Sequence, residues 1–133
     1  MPEFRISEAA ALLGVSDDTV RRWVDAGRLP AGRSESGRQT VAGADLARLA
    51  QELAATPEVH TGPVSARNRL TGIVTRVVRD TVMAQVEIQA GPHRVVSLIS
   101  REAADELGLE AGVLADAVVK ATDVIIEAPG CRP

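Results

Sequence analysis

Up to residue 53 the apolar positions of this chain recur at helical spacing. Beyond residue 64 they mostly alternate and are rich in β-branched side chains. In "ISEAAALLG", Ser7 is placed to cap a short helix with Ala9, Leu12 and Leu13 on one face and Gly14 as its stop. In "VSDDTVRRWVDAG", Ser16 is an N-cap, Asp17 and Asp18 suit the positive end of the helix dipole, and Gly27 ends the helix. Val20, Trp23 and Val24 follow i, i+3, i+4 spacing, which buries them and turns Arg21, Arg22 and Asp25 outward. Two short helices around a Gly-containing turn make a helix-turn-helix. "RLPAGRSESGRQTV" then supplies two short arms around a Ser-Gly turn, and Asp45, Leu46, Leu49 and Leu53 mark a third helix with one apolar stripe.

The second half reads "LTGIVTRVVRD", "TVMAQVEIQ", a Gly-Pro turn, "HRVVSLIS", a short helix and "ADAVVKATDVIIE". Val82, Ala84, Val86 and Ile88 alternate with Met83, Gln85 and Glu87, as in a half-buried strand. In "SREAADELGLEAG", Ser100 is the N-cap, Ala103, Ala104 and Leu107 share a face, and Gly108 is the stop. Four or five strands and one helix close most economically as a small OB-type barrel, which removes exposed sheet edges. Between the two patterns lies "AATPEVHTGP", a linker by composition. The expectation is an α+β chain of two domains. A winged helix-turn-helix occupies residues 1–55 and a linker residues 56–63; an OB-like β-barrel spans residues 64–128, followed by a tail at 129–133.

The chain has 133 residues, is 45% hydrophobic and carries a net charge of −3, so a globular protein is expected and nucleic-acid binding must rest on local placement. No apolar run reaches the roughly 20 residues of a membrane span, and the N-terminus lacks a basic-then-apolar segment, which predicts a soluble, cytoplasmic protein with no membrane partner. Cys131, the single cysteine, has no internal disulfide partner. The second unit contains no Phe, Tyr or Trp, and a domain of about 60 residues buries only roughly 60% of its extended-chain surface, so oligomerisation is expected to complete its stability. No nucleophile has an evident base partner; His60 lies in the linker and His93 follows a turn proline. Phosphate-binding Gly-rich loops and metal-ligand spacing are also missing, so neither an enzyme nor a bound metal cation is expected.

In the first unit, Arg21 and Arg22 on the second helix and Arg28, Arg33 and Arg38 on the hairpin outnumber the local acids. A capped, arginine-bearing helix suits the major groove, and a basic hairpin suits flanking phosphates. Thr19, Arg21 and Arg22, together with the cap Ser16, are the groove-facing candidates, and Arg28, Arg33 and Arg38 are the backbone anchors. Residues 4–53, through "ISEAAALLGVSDDTVRRWVDAGRLP", resemble the winged helix-turn-helix of MerR and excisionase-type DNA-binding domains. That resemblance implies a DNA partner, read by a dimer or a larger assembly over paired half-sites.

Of the 15 basic residues 14 are arginine; Lys120 is the single lysine and Asn68 the single asparagine. If the first and last strands of the barrel are neighbours, Ser65, Arg67, Asn68 and Lys120 converge, and every one of them can donate a hydrogen bond. Such a set suits a small oxyanion and not a cation. Alternation turns Arg69 away from Asn68, and it is not part of the group. Residues 64–128, through "SARNRLTGIV", "AQVEIQ", "ISREAADELGL" and "AVVKATDVIIE", resemble the Mop domain of the molbindin or TOBE family. That resemblance implies molybdate or tungstate held between subunits, with a hexamer favoured and a dimer as the alternative. Ser65, Arg67, Lys120 and the Ala121 backbone N–H would form one wall, and the helix start at Ser100 would come from a neighbour. Three positions after that helix start, where similar molybdate-responsive regulators carry a second hydroxyl, this chain has Ala103. The reading is a molybdate-responsive, DNA-binding transcriptional regulator. Its rival is a molybdate storage or homeostasis protein whose helical unit serves protein interaction.

Overall fold

The computed structural model describes residues 2–54 and 63–129. The predicted linker apart from Pro63, His60, and all of the tail beyond residue 129, Cys131 included, lie outside the described residues. The chain divides into two compact units, Met1–Thr56 and Pro57–Pro133.

In the first unit the elements are β1 (Glu3–Arg5), α1 (Ile6–Leu13), α2 (Asp17–Asp25), β2 (Ala31–Arg33), β3 (Gln39–Ala42) and α3 (Gly43–Leu53). β3 is the central strand of an antiparallel sheet in the order β1-β3-β2, with Phe4 opposite Val41 and Gly32 opposite Thr40. The β2–β3 hairpin is the wing. Ser16 caps α2 as the sequence predicts, accepting a hydrogen bond from the Thr19 N–H at 3.1 Å. The core is Ile6, Ala9, Ala10, Val20, Leu29, Val41, Leu46 and Leu49, with Phe4, Leu13, Trp23 and Val24 packed around it.

Three expectations here change. Ser7 does not cap α1: β1 runs straight into the helix, so Arg5 takes the cap position and its N–H donates to Glu8 Oε1 at 2.9 Å. Because the helix begins at Ile6, its buried stripe is centred on Ile6, Ala9 and Ala10, and Leu12 is 63% exposed. Trp23 and Val24 are half-buried rather than buried, since α2 lies at the margin of a small core.

The second unit contains β4 (Asn68–Arg79), β5 (Met83–Ala90), β6 (His93–Ser100), α4 (Arg101–Glu106), β7 (Leu114–Val119) and a 3₁₀ turn, Ala121–Asp123. Its four strands form a curled antiparallel sheet in the order β6-β5-β4-β7. β4 serves two partners. Residues from Asn68 to Ile73 pair with β7, and those from Ile73 to Arg79 pair with β5 across a register shift between Val74 and Arg76. That irregularity bends the strand, as a bulge does, and lets one sheet wrap a core of Val74, Val86, Ile88 and Leu109. At the handover Gly72 lies so near β5 that an added Cβ would sit 2.3 Å from the Gln89 carbonyl oxygen.

Ala84, Val86 and Ile88 are buried as alternation requires, but Val82 precedes β5 in the β4–β5 turn and is exposed. Leu107 is 67% exposed. The left-handed Gly108 (φ 64°) redirects the chain just after it, and Leu109 reaches the core in its place. The last predicted strand ends early, at Val119: the Asp123 N–H donates to the Lys120 carbonyl at 2.9 Å and closes the 3₁₀ turn.

Candidate functional site

The pairing of β4 with β7 decides which polar residues meet. Asn68 stands opposite Val119, and its Nδ2 donates to the Val119 carbonyl at 3.1 Å in a part-buried position. The chain entering β4 through Ser65, Ala66 and Arg67 and the chain leaving β7 through Lys120 and Ala121 therefore depart from the same end of one ladder. Lys120 occupies the N-cap position of the 3₁₀ turn without a side-chain capping bond. In the first turn of such a helix the Ala121 and Thr122 N–H groups have no intrahelical acceptor. The Thr122 hydroxyl sits in this turn too, a further donor that sequence reasoning passed over although it stands in "VKATD".

Among the described residues the exposed side chains of Ser65, Arg67 and Lys120 have no hydrogen-bond or ion-pair partner. Arg69, one position beyond Asn68, contrasts with them: its guanidinium donates to Asp116 Oδ2 at 2.8 Å, and the Thr71 hydroxyl donates to Asp116 Oδ1 at 2.6 Å. The charge of Arg69 is neutralised within the sheet, whereas those of Arg67 and Lys120 are not. This end of the sheet thus offers one hydroxyl, two unpaired cations and free backbone N–H groups, a set matched to an oxyanion. Among the described residues no group of His, Cys, Asp and Glu could hold a metal ion.

Ser100 lies elsewhere. Its Oγ accepts from the Ala103 N–H at 3.0 Å, capping α4, and it pairs with Met83 at the start of β5. The adjoining β5 residue, Ala84, pairs with Arg79, the opposite end of β4 from Asn68. At ~3.3 Å per residue, β4 separates the two ends by roughly 35 Å of strand path. Among the described residues no hydrogen bond or ion pair joins Ser100 to Ser65, Arg67 or Lys120. Ser100 borders a recess of ≈ 540 Å³ with Val82, Arg101, Glu102, Asp105 and Glu106. Arg101, unmarked in the sequence reading, is tied down there, donating to the Asp80 carbonyl at 3.2 Å and lying 3.8 Å from Asp105.

In the helix-turn-helix unit, Arg21, Arg33 and Arg38 line one open cleft of ≈ 360 Å³ between the start of α2 and the wing. Arg5 lines it too, and sequence reasoning missed it because the short β1 leaves no periodic trace. Arg21 is paired with Asp18 at 3.1 Å, Arg33 donates to the Gly37 carbonyl at 2.8 Å, and the Arg38 guanidinium has no partner among the described residues. Arg22 and Arg28 are not in this cleft's lining. Arg22 donates to the Thr19 hydroxyl at 3.2 Å, which itself lies 2.9 Å from Ser16 Oγ, and Arg28 sits 3.8 Å from Glu52. The Arg5 N–H and then its guanidinium hold the Glu8 carboxyl below its ordinary value.

A family model described as "TOBE domain" matches residues 64–126, and one described as "Helix-turn-helix domain" matches residues 3–54. "Molybdenum-pterin-binding protein 2" of Clostridium pasteurianum is 42% identical over 64 residues, which is 47% of this chain and 94% of that protein. The "Probable molybdenum-pterin-binding protein" of Haemophilus influenzae is 42% identical over 64 residues, 47% of this chain and 93% of its own length. Among solved structures, a molybdate binding protein from Sporomusa ovata shares 30% identity with a TM-score of 0.49, covering 50% of this chain and 100% of that one.

Proposed function

We propose that this chain, which belongs to the TOBE-domain family of molybdenum-pterin-binding proteins and carries a helix-turn-helix domain ahead of that part, is a molybdate-responsive DNA-binding regulator. The observation that carries the reading is the Asn68–Val119 register, which brings the unpaired Arg67 and Lys120 to one end of a sheet. Ser65 O–H, the Arg67 fork, the Lys120 ammonium and the Ala121 N–H form the first wall around molybdate or the similarly shaped tungstate. Asn68 contributes by locking the two strands together. Ser100 of a second copy supplies the opposite wall. Within one chain Ser100 is engaged as the cap of α4, with no hydrogen bond to that first wall, which favours this division. Exposed apolar residues also favour self-association: Leu114 is 75% exposed, Ile125 92% and Ile126 85%. A hexamer is the assembly we favour.

The winged helix-turn-helix, of the MerR or excisionase type, presents Thr19, Arg21 and Arg22 to the groove and Arg28, Arg33 and Arg38 to the backbone. Molybdate changes DNA affinity by favouring one arrangement of subunits over another. The chain acts as a binding protein rather than an enzyme, in the cytoplasm where DNA is accessible, and among the described residues no helix is long and apolar enough to cross a membrane.

Storage is the second reading. It is favoured by the two molybdenum-pterin-binding relatives, which match this chain over 94% and 93% of their own lengths with only about half of it. Gel-shift titration over genomic fragments with and without molybdate separates the two. A change in the DNA midpoint of several-fold supports the regulator, and identical midpoints leave storage.

A further inference from the structure

Arg5 has no place in either wall or in the reading helix, yet the fold delivers it to the wing cleft. Pairing of β1 with β3 puts Arg5 opposite Thr40, and Arg5 then caps α1. The cleft lining gathers Arg5, Arg21, Arg33 and Arg38 from β1, α2 and both sides of the wing turn, with Asp17 as the single carboxylate. Glu8 pairs with Arg5 and Asp18 with Arg21, so among the described residues Arg33 and Arg38 are the two guanidiniums of the cleft with no ion-pair partner, in a chain whose net charge is −3. Nothing in the core needs this cluster, and an anion in the cleft would meet two guanidiniums that no carboxylate compensates.

We infer that this cleft is a binding site for a single DNA backbone phosphodiester, with Arg5 and Arg38 as its principal ligands, fixing the wing and α2 in register on the duplex. The inference rests on the DNA-binding reading above. The Arg38 side chain is unpartnered among the described residues and free to donate. Arg5 is shared with Glu8 at 3.3 Å, but both side chains of that pair are about half exposed, at 52% and 48%. Exposed pairs of this kind are weak, and a phosphate replaces the carboxylate readily. Arg33, anchored on the Gly37 carbonyl, holds the wing turn that carries Arg38. Glu8 therefore competes with DNA for Arg5, and its removal strengthens binding.

Phosphate contacts are independent of sequence, so a mixed duplex of about 30 base pairs serves as the probe, and each lost contact lowers the slope of log K on log salt by about 0.9. The full-length protein is compared with Arg5→Ala, Arg38→Ala, Glu8→Gln and, as a charge-matched control outside the cleft, Arg48→Ala, with circular dichroism verifying folding. Expected are a several-fold loss of affinity and a shallower salt slope for Arg5→Ala and Arg38→Ala, a wild-type slope for Arg48→Ala, and tighter binding for Glu8→Gln. If the wild-type protein binds DNA and Arg5→Ala keeps its affinity and slope, the cleft assignment is overturned while the DNA-binding reading stands. If the wild-type protein shows no DNA binding, both fall. Saturable calorimetric binding of inorganic phosphate that Arg5→Ala abolishes would make the ligand a free anion and overturn the phosphodiester assignment.

Discussion

Gly72→Ala adds one methyl group at the point where β4 changes partners. Gly72 pairs with Ala115 of β7, while the next residue, Ile73, pairs with both Leu114 of β7 and Gln89 of β5. The new Cβ would lie 2.3 Å from the Gln89 carbonyl oxygen, 2.8 Å from its carbonyl carbon and 2.8 Å from Ile88 Cγ2. Non-bonded heavy atoms sit comfortably near 3.5 Å, so the overlap approaches about 1 Å. Two of the three atoms are backbone, and a strand rather than a rotamer has to move. Overpacking costs about 1–3 kcal/mol, and a backbone obstacle puts this site at the upper end. Stiffening of the unfolded chain by alanine returns roughly 0.4–1 kcal/mol. A net destabilisation of about 2 kcal/mol corresponds to a fall in Tm of roughly 8–16 °C for a domain of this size. Differential scanning calorimetry on the full chain reads it directly, and the transition of the helix-turn-helix unit should stay where it is. A shift smaller than about 2 °C would refute the close-approach reasoning.

Other predictions follow from single contacts. Asn68→Ala removes the Nδ2 bond to the Val119 carbonyl and should cost about 1 kcal/mol of second-unit stability in urea titrations, with weaker molybdate binding although both cations remain. Unchanged binding would mean that the strand lock does not shape the site. Asp80 accepts from the Met83 and Val82 N–H groups, both at 2.7 Å, which holds its carboxyl below the ordinary value. Its contribution is therefore complete above the usual carboxylate range and lost as pH falls through the lowered value; Asp80→Asn should flatten this part of the acid-unfolding curve, and an unaltered curve would contradict it. Ser16→Ala leaves the Thr19 N–H without its cap and should destabilise the first unit by about 1 kcal/mol, read from its own melting transition.

Local signals survived the passage from sequence to structure, and non-local ones did so unevenly. Ser16 caps α2 because capping is settled within four residues, and the buried alternation of Ala84, Val86 and Ile88 follows from strand geometry alone. Ser7, Leu12 and Leu107 depart from the pattern because each depends on how the chain arrives or leaves: β1 running into α1, or Gly108 turning Leu109 inward. β1 itself leaves no pattern, since its three residues are defined by pairing with β3. At the site, the donors of one wall were legible as rare residue types, whereas their juxtaposition required the β4–β7 pairing. That Ser100 pairs toward the Arg79 end of β4 and not the Asn68 end could be read only from the order of the strands.

On the proposed function, Arg67 and Lys120, left unpaired at the Asn68–Val119 end of the sheet, bind a tetrahedral oxyanion. Calorimetric titration of molybdate into the wild-type protein and into Lys120→Ala tests it most directly. Saturable binding by the wild-type chain is expected, with at least about a tenfold loss in the variant, equivalent to roughly 1.4 kcal/mol. Equal affinity in the two proteins, with folding intact, would contradict it.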